Sequence, residues 1–434
     1  MGADCGHFAV LRGNPAAGAA RVTEVALHPL AEEERAHFSW LEAAHLKAVI
    51  AALDAAEPGC ARFVGGCVRD SLLGDVPKDF DVATTLTPEA ATAALKAAGL
   101  GVAPTGIDHG TVTAITEHRG VEVTTLRADV STDGRRATVA FTRDWAVDAS
   151  RRDFTVNAIY LTPDAKLYDP AGGVADVAAK RVRFIGAPEE RIREDYLRIL
   201  RFFRFSARFC DSFDTPGLAA CAALKDGMNQ LSAERIGAEM SGVLSLPRAS
   251  FALEAMQASG VLAEVWAADP DLAAAARMKN LEPAASAPLM LAALYGEEGG
   301  AGVGRRLRLS NAEKAMRSGA LKGAASIAPA MDEASVRERL YRLGRDGFCD
   351  AILTAAARGR IGEGDYRRLK ALAEAAPPPH FEISGKHVVA AGVAPGPAVS
   401  KILAAVEARW IAEDFPPQDR QKAILGEEIA KTDQ

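Results

Sequence analysis

The sequence predicts an α+β protein in which a small mixed region is followed by helices to the C-terminal end. Two changes of texture predict this. Between about residues 60 and 170, short alternating or β-branched runs ("RFVGG", "KDFDVAT", "GTVTAI", "VEVTTLR", "ATVAFT") are separated by Gly, Asp and Pro turns. From Lys180 onward these fade, and apolar residues recur at helical spacing, as in "EDYLRILRFFRFSARF" and "SAERIGAEMSGVLSL". At 434 residues the chain exceeds one ordinary core, and at about 150 residues per domain it holds roughly three modules.

The elements follow in order. Residues 1–40 mix Gly, Ala and Pro with short apolar pieces ("RGNPAAGAA") and are expected to form a loosely ordered leader. "WLEAAHLKAVIAALDAA" (40–56) is a helix that ends before Pro58-Gly59. In "RFVGGCVRDSLLGDVPKDFDVAT" (62–84), "RFV" is a strand, Gly65-Gly66 a turn, and "VRDSLLG" a helix closed by Gly74. If "KDFDVAT" is a strand, period two puts Asp79 and Asp81 on one face with Phe80 buried behind. "VEVTTLR" alternates, so Glu122 faces away from its valine neighbours. "AAPPPH" (375–380) is a stiff break between later helices.

Bulk properties exclude some functions. The formal charge of −6 argues against a protein that coats nucleic acid, while a local basic groove stays open. Six scattered cysteines without a CxxC pair indicate reduced thiols in a cytoplasmic protein. No stretch reaches the ~18 apolar residues of a membrane span, and the N-terminal residues lack a basic-then-apolar signal pattern. There is no GxxxxGK[ST], which excludes a P-loop ATPase.

A strand–Gly-Gly–helix turn leaves unpaired N–H groups at the helix start, where phosphate oxygens bind well. Arg69, one turn into that helix, could reach the same anion. Two carboxylates about 7 Å apart along a strand can hold divalent metals, and Mg²⁺ favours a few carboxylates plus substrate phosphates. Together these point to nucleotidyl transfer by a two-metal mechanism. A plain loop beside a solvated Asp-x-Asp turn is the blander account, adequate for either motif alone but poorer for the pair at this spacing.

"GGCVRDSLLGDVPKDFDVAT" resembles the first motif of the class II tRNA nucleotidyltransferase and bacterial poly(A) polymerase family, within the polymerase β superfamily. "TGIDHGTVTAI", "RRDFTVNAIY", "DPAGGVADV", "REDYLRILRFFRF" and "LSAERIGAEM" are similar to its later segments in order. Ala171 stands where the family often has an aromatic residue. The resemblance covers about 60–250 closely and the C-terminal half more loosely. It implies a polymerase β-like nucleotidyltransferase head followed by an all-helical neck, body and tail. The expected divisions are a leader (1–40), catalytic head (41–178), nucleotide-selecting neck (179–250), body (251–376) and tRNA-contacting tail (377–434). "GVAPGPAVSKIL" (392–403) is similar to the Gly-Pro turn before a helix in the family's C-terminal region, a candidate RNA-phosphate contact or an ordinary capped helix.

The resemblance assigns roles residue by residue. Asp79 and Asp81 would hold Mg²⁺, and Glu122 would polarise the attacking 3′-hydroxyl of the RNA primer; a surface glutamate on an edge strand is the alternative. Gly65, Gly66, Arg69 and Arg152 would contact the nucleotide, and Asp153 and Asn157 its ribose. His109 is expected to be a turn residue rather than a metal ligand. On a helix, Asp195 and Arg198 share a face, as do Arg201 and, with some drift, Arg204. An Asp acceptor beside an Arg donor matches the Watson–Crick edges of cytosine and adenine and mispairs with uracil and guanine. Such a buried mismatch is costly, so one side-chain pair can choose C and A without a template; an i,i+3 surface ion pair is the alternative. Arg181 and Arg183, with Lys180, Arg191, Arg193 and Arg208, are candidates for a groove that takes RNA phosphates.

The implied activity is addition of CCA to the tRNA 3′ end from CTP and ATP, with no membrane partner. Rivals are a poly(A) polymerase, against which stands the lack of a basic "GRRF"-like block, and enzymes adding only CC or only A. The full-length loop at 127–150 argues against the CC-only type. A catalytically silent RNA-binding relative is disfavoured by intact Asp79, Asp81 and Asp195. No His-Asp phosphohydrolase pair is present, and oligomeric state is not legible.

Overall fold

The computed structural model describes residues 26–133, 136–266, 269–375 and 377–432. The leader segment "RGNPAAGAA" and Cys5 lie outside them. The chain divides into two compact units, one of residues 1–239 with 255–265 and one of 240–254 with 266–434. The expected boundaries at 178 and 376 therefore fall inside units rather than between them.

The first unit is built on an eight-stranded sheet. Its spatial order is His28–Pro29, Lys166–Tyr168, Tyr160–Leu161, Ala61–Val64, Asp81–Thr84, Arg119–Thr125, Thr111–Thr116, Gly101–Gly106. Every pairing is antiparallel except that of Asp81–Thr84 with Arg119–Thr125. Helices Ala44–Ala56 and Pro88–Ala97 pack on one face of this sheet. There Leu46, Val49, Leu53, Leu95, Phe63, Val82, Val121 and Val123 are buried, each contributing about 1.5–3 kcal/mol as its side chain leaves water. The opposite face carries a second apolar floor of Val64, Ala83, Leu126, Ala149, Ala158 and Tyr160.

Part of the expected leader is structured. Residues 28–29 pair with Lys166 and Leu167 at the sheet edge, and Leu30 and Phe38 are 3% exposed. A 3₁₀ turn, Ala36–Glu42, brings Trp40 against Phe63 with ring centroids 4.9 Å apart. The Gly-, Ala- and Pro-rich composition of residues 12–20 colours the whole segment in sequence, but large apolar side chains from Leu30 on are enough to dock it.

The helical neck joins the head through aromatic rings. Phe154 lies 4.9 Å from Phe184, which stacks on Phe202 at 5.4 Å. Phe202 belongs to the helix Leu197–Phe209, whose Ile199, Leu200, Phe202 and Phe203 are fully buried. This is why the neck does not separate from the head as its own unit. The second unit is all helical among its described residues, with Glu333–Ala357 kinked at Gly344 (φ 69°). There Trp410 anchors a core with Ile383, Val388, Ile402, Val406 and Ile424, and Tyr341 packs edge-on against it at 5.2 Å. Cys60, Cys67, Cys210, Cys221 and Cys349 are free thiols, and burial pushes the Cys67 thiol up to about 12. No helix among the described residues is long and apolar enough to cross a membrane.

Two glycines give opposite expectations. A Cβ on Gly173 would stand 2.2 Å from the Thr155 carbonyl oxygen, part of the backbone. Gly173→Ala should therefore cost about 1–3 kcal/mol or more through overpacking. Gly319, inside the helix Asn311–Ala325, has open space around it, so Gly319→Ala should stabilise its unit by up to about 1 kcal/mol. Denaturation midpoints of the two variants should move in opposite directions; equal shifts would contradict the packing described.

Candidate active site

Asp81 opens its strand and stands in register with Glu122 on the parallel neighbour, so both carboxylates rise from the same face. Glu122 is exposed between buried Val121 and Val123, as the alternation predicts. Burial, the charge of Glu122 and that of Asp79 push the Asp81 carboxyl above its ordinary range, with Arg152 opposing them. Asp79 itself is not in the strand: the ladder begins at Asp81, and Asp79 is exposed in the loop before it. The reason lies in the antiparallel neighbour, which turns out of the sheet at Gly65 just past Val64.

Among the described residues no three His, Cys, Asp or Glu side chains form a ready metal nest. The donor set nevertheless fits a hard divalent cation. Asp79, Asp81 and Glu122 offer only carboxylate oxygens, and their mutual repulsion at Asp81 would be relieved by positive charge. Mg²⁺ takes one or two such carboxylates and fills its shell with water and substrate phosphates.

Gly65 adopts φ 73°, ψ −118°, a conformation that disfavours any side chain. It sends the backbone into the helix Gly66–Leu72. Arg69, expected to contact the nucleotide, is 3% exposed. Its Nε donates to Asp70 Oδ1 at 2.9 Å, its Nη1 to Asn157 Oδ1, and its guanidinium lies 4.9 Å over the Phe205 ring. Asn157 donates in turn to Asp153 Oδ1 at 3.0 Å, and Arg201 Nε donates to Asp153 Oδ2 at 2.7 Å. Burial alone would raise the Asp153 carboxyl, but Arg201, Asn157 and the Phe154 amide outweigh it and hold it low. Arg201 and Arg204 both face Glu239, at 3.6 and 3.2 Å.

Arg152 is fixed by Asp148. Its Nη2 donates to Asp148 Oδ2 at 3.0 Å, its Nε also to the Tyr160 hydroxyl at 3.2 Å, and its Nη1 to the Asn157 carbonyl at 3.3 Å. Arg151 donates to the other oxygen of Asp148 at 2.7 Å. Sequence inspection passed over Asp148, although "DASRR" places it three and four residues before two arginines, the spacing at which helical neighbours pair.

Asp195 and Arg198 do not share a helical face. Two helices, Pro188–Glu194 and Leu197–Phe209, meet at an extended Asp195 (φ −156°, ψ 105°). Its Oδ1 accepts from the Leu197 amide at 3.1 Å and its Oδ2 from Arg235 at 2.7 Å. The local bond to the Leu197 amide competes with helix continuation. Arg198 pairs with Glu194 and donates to the carbonyls of Arg191 at 2.7 Å and Arg151 at 3.3 Å. Asp195 and Arg198 are thus held separately, next to the 151–153 stretch, and the surface ion pair between them does not form.

The basic residues of the neck are mostly engaged internally. Arg181 and Arg183 both donate to fully buried Asp176. Arg208 donates to Asp70 at 2.8 Å, and Arg191 to the carbonyls of Arg151 and Arg152. The groove expected from Arg181 and Arg183 is therefore not a row of free cations. His109 lies in the 3₁₀ turn Ile107–His109, where its carbonyl accepts from Arg127.

Asp148 gives the sharpest stability test. Burial would raise its carboxyl; Arg152, Arg151, the Tyr160 hydroxyl and the Arg127 amide hold it down at about 2. A folded-state value below the unfolded 3.8 contributes stability above pH 4 that is lost as the pH falls toward 2. Asp148→Asn should cost about 3–5 kcal/mol at neutral pH, since it strands two partly buried guanidiniums, and should flatten the acid limb of stability between pH 4 and 2. An unchanged acid limb in the variant would contradict this assignment.

Residues 61–183 match the family described as the poly(A) polymerase head domain. The chain is 33% identical to the mitochondrial CCA tRNA nucleotidyltransferase 1 of Mus musculus, over 80% of this chain and 82% of that one. It is 29% identical to the CCA-adding enzyme of Levilactobacillus brevis, over 82% and 90%. Its fold matches the crystal structure of the Bacillus stearothermophilus CCA-adding enzyme in complex with CTP, with a TM-score of 0.71, 26% identity, and coverage of 90% of this chain and 99% of that one. A likeness that runs at this level through head and helices alike makes the chain a member of the class II CCA tRNA nucleotidyltransferase family.

Proposed function

We propose that this chain adds C, C and A to the 3′ end of tRNA from CTP and ATP, releasing pyrophosphate, with no nucleic-acid template. The observation that carries the chemistry is the register of Asp81 with Glu122, beside Asp79, on the face reached by the Gly65 turn. Asp79 and Asp81 would hold Mg²⁺, which when bound neutralises the charge that develops on the transferring phosphoryl group. Glu122 would polarise the attacking 3′-hydroxyl of the primer. Arg152, rigid on Asp148 and Tyr160 and coupled to Asp81, orients the triphosphate. Asp153 and Asn157, locked by Arg201 and Arg69, present a fixed edge to the ribose.

Base choice rests on Asp195 and Arg198. Asp195 already accepts two hydrogen bonds, and a carboxylate has lone pairs for about four. It can therefore take the amino group of cytosine or adenine as well. Arg198, with spare N–H donors, serves the neighbouring ring nitrogen. Uracil and guanine would set an oxygen against the carboxylate. The cytoplasmic location belongs to the same proposal, supported by free thiols; the mouse relative is mitochondrial.

Asp79→Ala and Asp81→Ala should each abolish incorporation of both CTP and ATP while leaving tRNA affinity nearly intact; loss for one nucleotide alone would contradict a shared site. Asp195→Ala should lower discrimination against UTP by roughly one to two decades, since a base-edge pair contributes about 1–3 kcal/mol. Arg198→Ala should mainly weaken use of CTP and ATP. The measurement is kcat/KM for all four nucleotides on one tRNA primer, and wild-type selectivity in both variants would remove the pair from base reading.

A further inference from the structure

Trp40 stands outside every motif of the site, yet its indole touches three of the segments that build it. Its Nε1 donates to Ser71 Oγ at 2.8 Å, and Ser71 is fully buried on the helix that follows Gly65. Its ring meets Phe63 edge-on at 4.9 Å, on the strand that leads into that turn. It also lies 5.0 Å from the ring of Phe80, the residue between Asp79 and Asp81. His45 borders Phe80 as well, at 6.3 Å. At the start of the same loop, His37 lies 3.6 Å from the position a Cβ on Gly74 would take.

The loop packs Pro77 inward but makes few backbone hydrogen bonds of its own. After the Asp75 amide donates to the Asp70 carbonyl, the described residues 76–80 make no turn hydrogen bond, and Val76 is 89% exposed. Asp81 is anchored by the sheet, whereas Asp79 is not. The separation of the two carboxylates is thus set by the backbone at Phe80, and the Phe80 ring is held chiefly by Trp40 at 5.0 Å, with His45 farther off at 6.3 Å.

We infer that Trp40 is a positioning residue for the cation site, holding Phe80 and through it the placement of Asp79 relative to Asp81. The inference rests on the proposal that these carboxylates bind a divalent metal. Supporting contacts of this kind typically change metal affinity or activity by about 10–100-fold when removed.

The test uses the full chain with Mn²⁺ alone, its binding followed by the EPR signal of the free ion, together with kcat and the KM for tRNA. Trp40→Ala should weaken Mn²⁺ binding and lower kcat, each by about 10–100-fold, with the tRNA KM unchanged. Trp40→Phe, which keeps a ring against Phe80, should stay close to wild type. Phe80→Ala should reproduce the loss from the loop side, and it decides the matter if Trp40→Ala does not fold. Wild-type Mn²⁺ affinity and kcat in folded Trp40→Ala or in Phe80→Ala would overturn the inference. Asp81→Ala separates the two levels: if it alone loses Mn²⁺, only the role of Trp40 falls, and if it binds Mn²⁺ as wild type does, the metal site itself is wrong.

Discussion

The guanidinium of Arg201 and the carboxylate of Asp153, 2.7 Å apart, tie the helical neck to the catalytic head, and the rest of the site depends on that contact. Asp153 is buried, so without Arg201 it would be an uncompensated charge, a loss of about 3–5 kcal/mol in comparable pairs. From this pair the alternation spreads both ways. Asn157 and Arg69 lead to Asp70 and Arg208 on one side, and Glu239 binds Arg201 and Arg204 on the other. Arg69, Arg201 and Arg204 all lie about the ring of Phe205 at 4.9–5.1 Å. Four guanidiniums thus meet three carboxylates, so the lattice keeps a small positive excess although the chain is acidic overall. A preorganised positive surface of this kind suits a nucleoside triphosphate.

Several of the neck's basic residues are ion-paired as well. Each guanidinium pointing inward satisfies a carboxylate or a carbonyl that would otherwise be buried without a partner. Arg181 and Arg183 hold Asp176, which also accepts from Thr155, two residues beyond Asp153. Clustering of Lys and Arg in sequence reports charge density; it does not report which way the side chains turn.

Much of the site was legible. The strand–Gly-Gly–helix turn, the outward face of Glu122 and the α+β order all follow from local periodicity, which the sheet preserves. Asp79 was misplaced because a two-residue period cannot show where a neighbouring strand leaves the sheet. Asp195 reads as helical because its surroundings are strongly helical, while its local bond to the Leu197 amide breaks the run. Arg235 and Glu239, four residues apart on Ala233–Ser245, are ordinary surface charges in sequence, and only the fold reveals that they face Asp195, Arg201 and Arg204. Trp40 reads as the first residue of a helix over 40–56, whereas it belongs to the 3₁₀ turn Ala36–Glu42 and the helix itself begins at Ala44.

One protein site is proposed to choose C twice and then A without a template. That choice is tested most directly by supplying wild-type protein and Mg²⁺ with tRNA transcripts that lack CCA, CA or A, and with each labelled nucleotide alone and in combination. Addition of C, then C, then A, each only on the transcript that needs it and followed by a stop, is expected. Comparable use of UTP or GTP, or a run of A on the transcript lacking CCA, would contradict it.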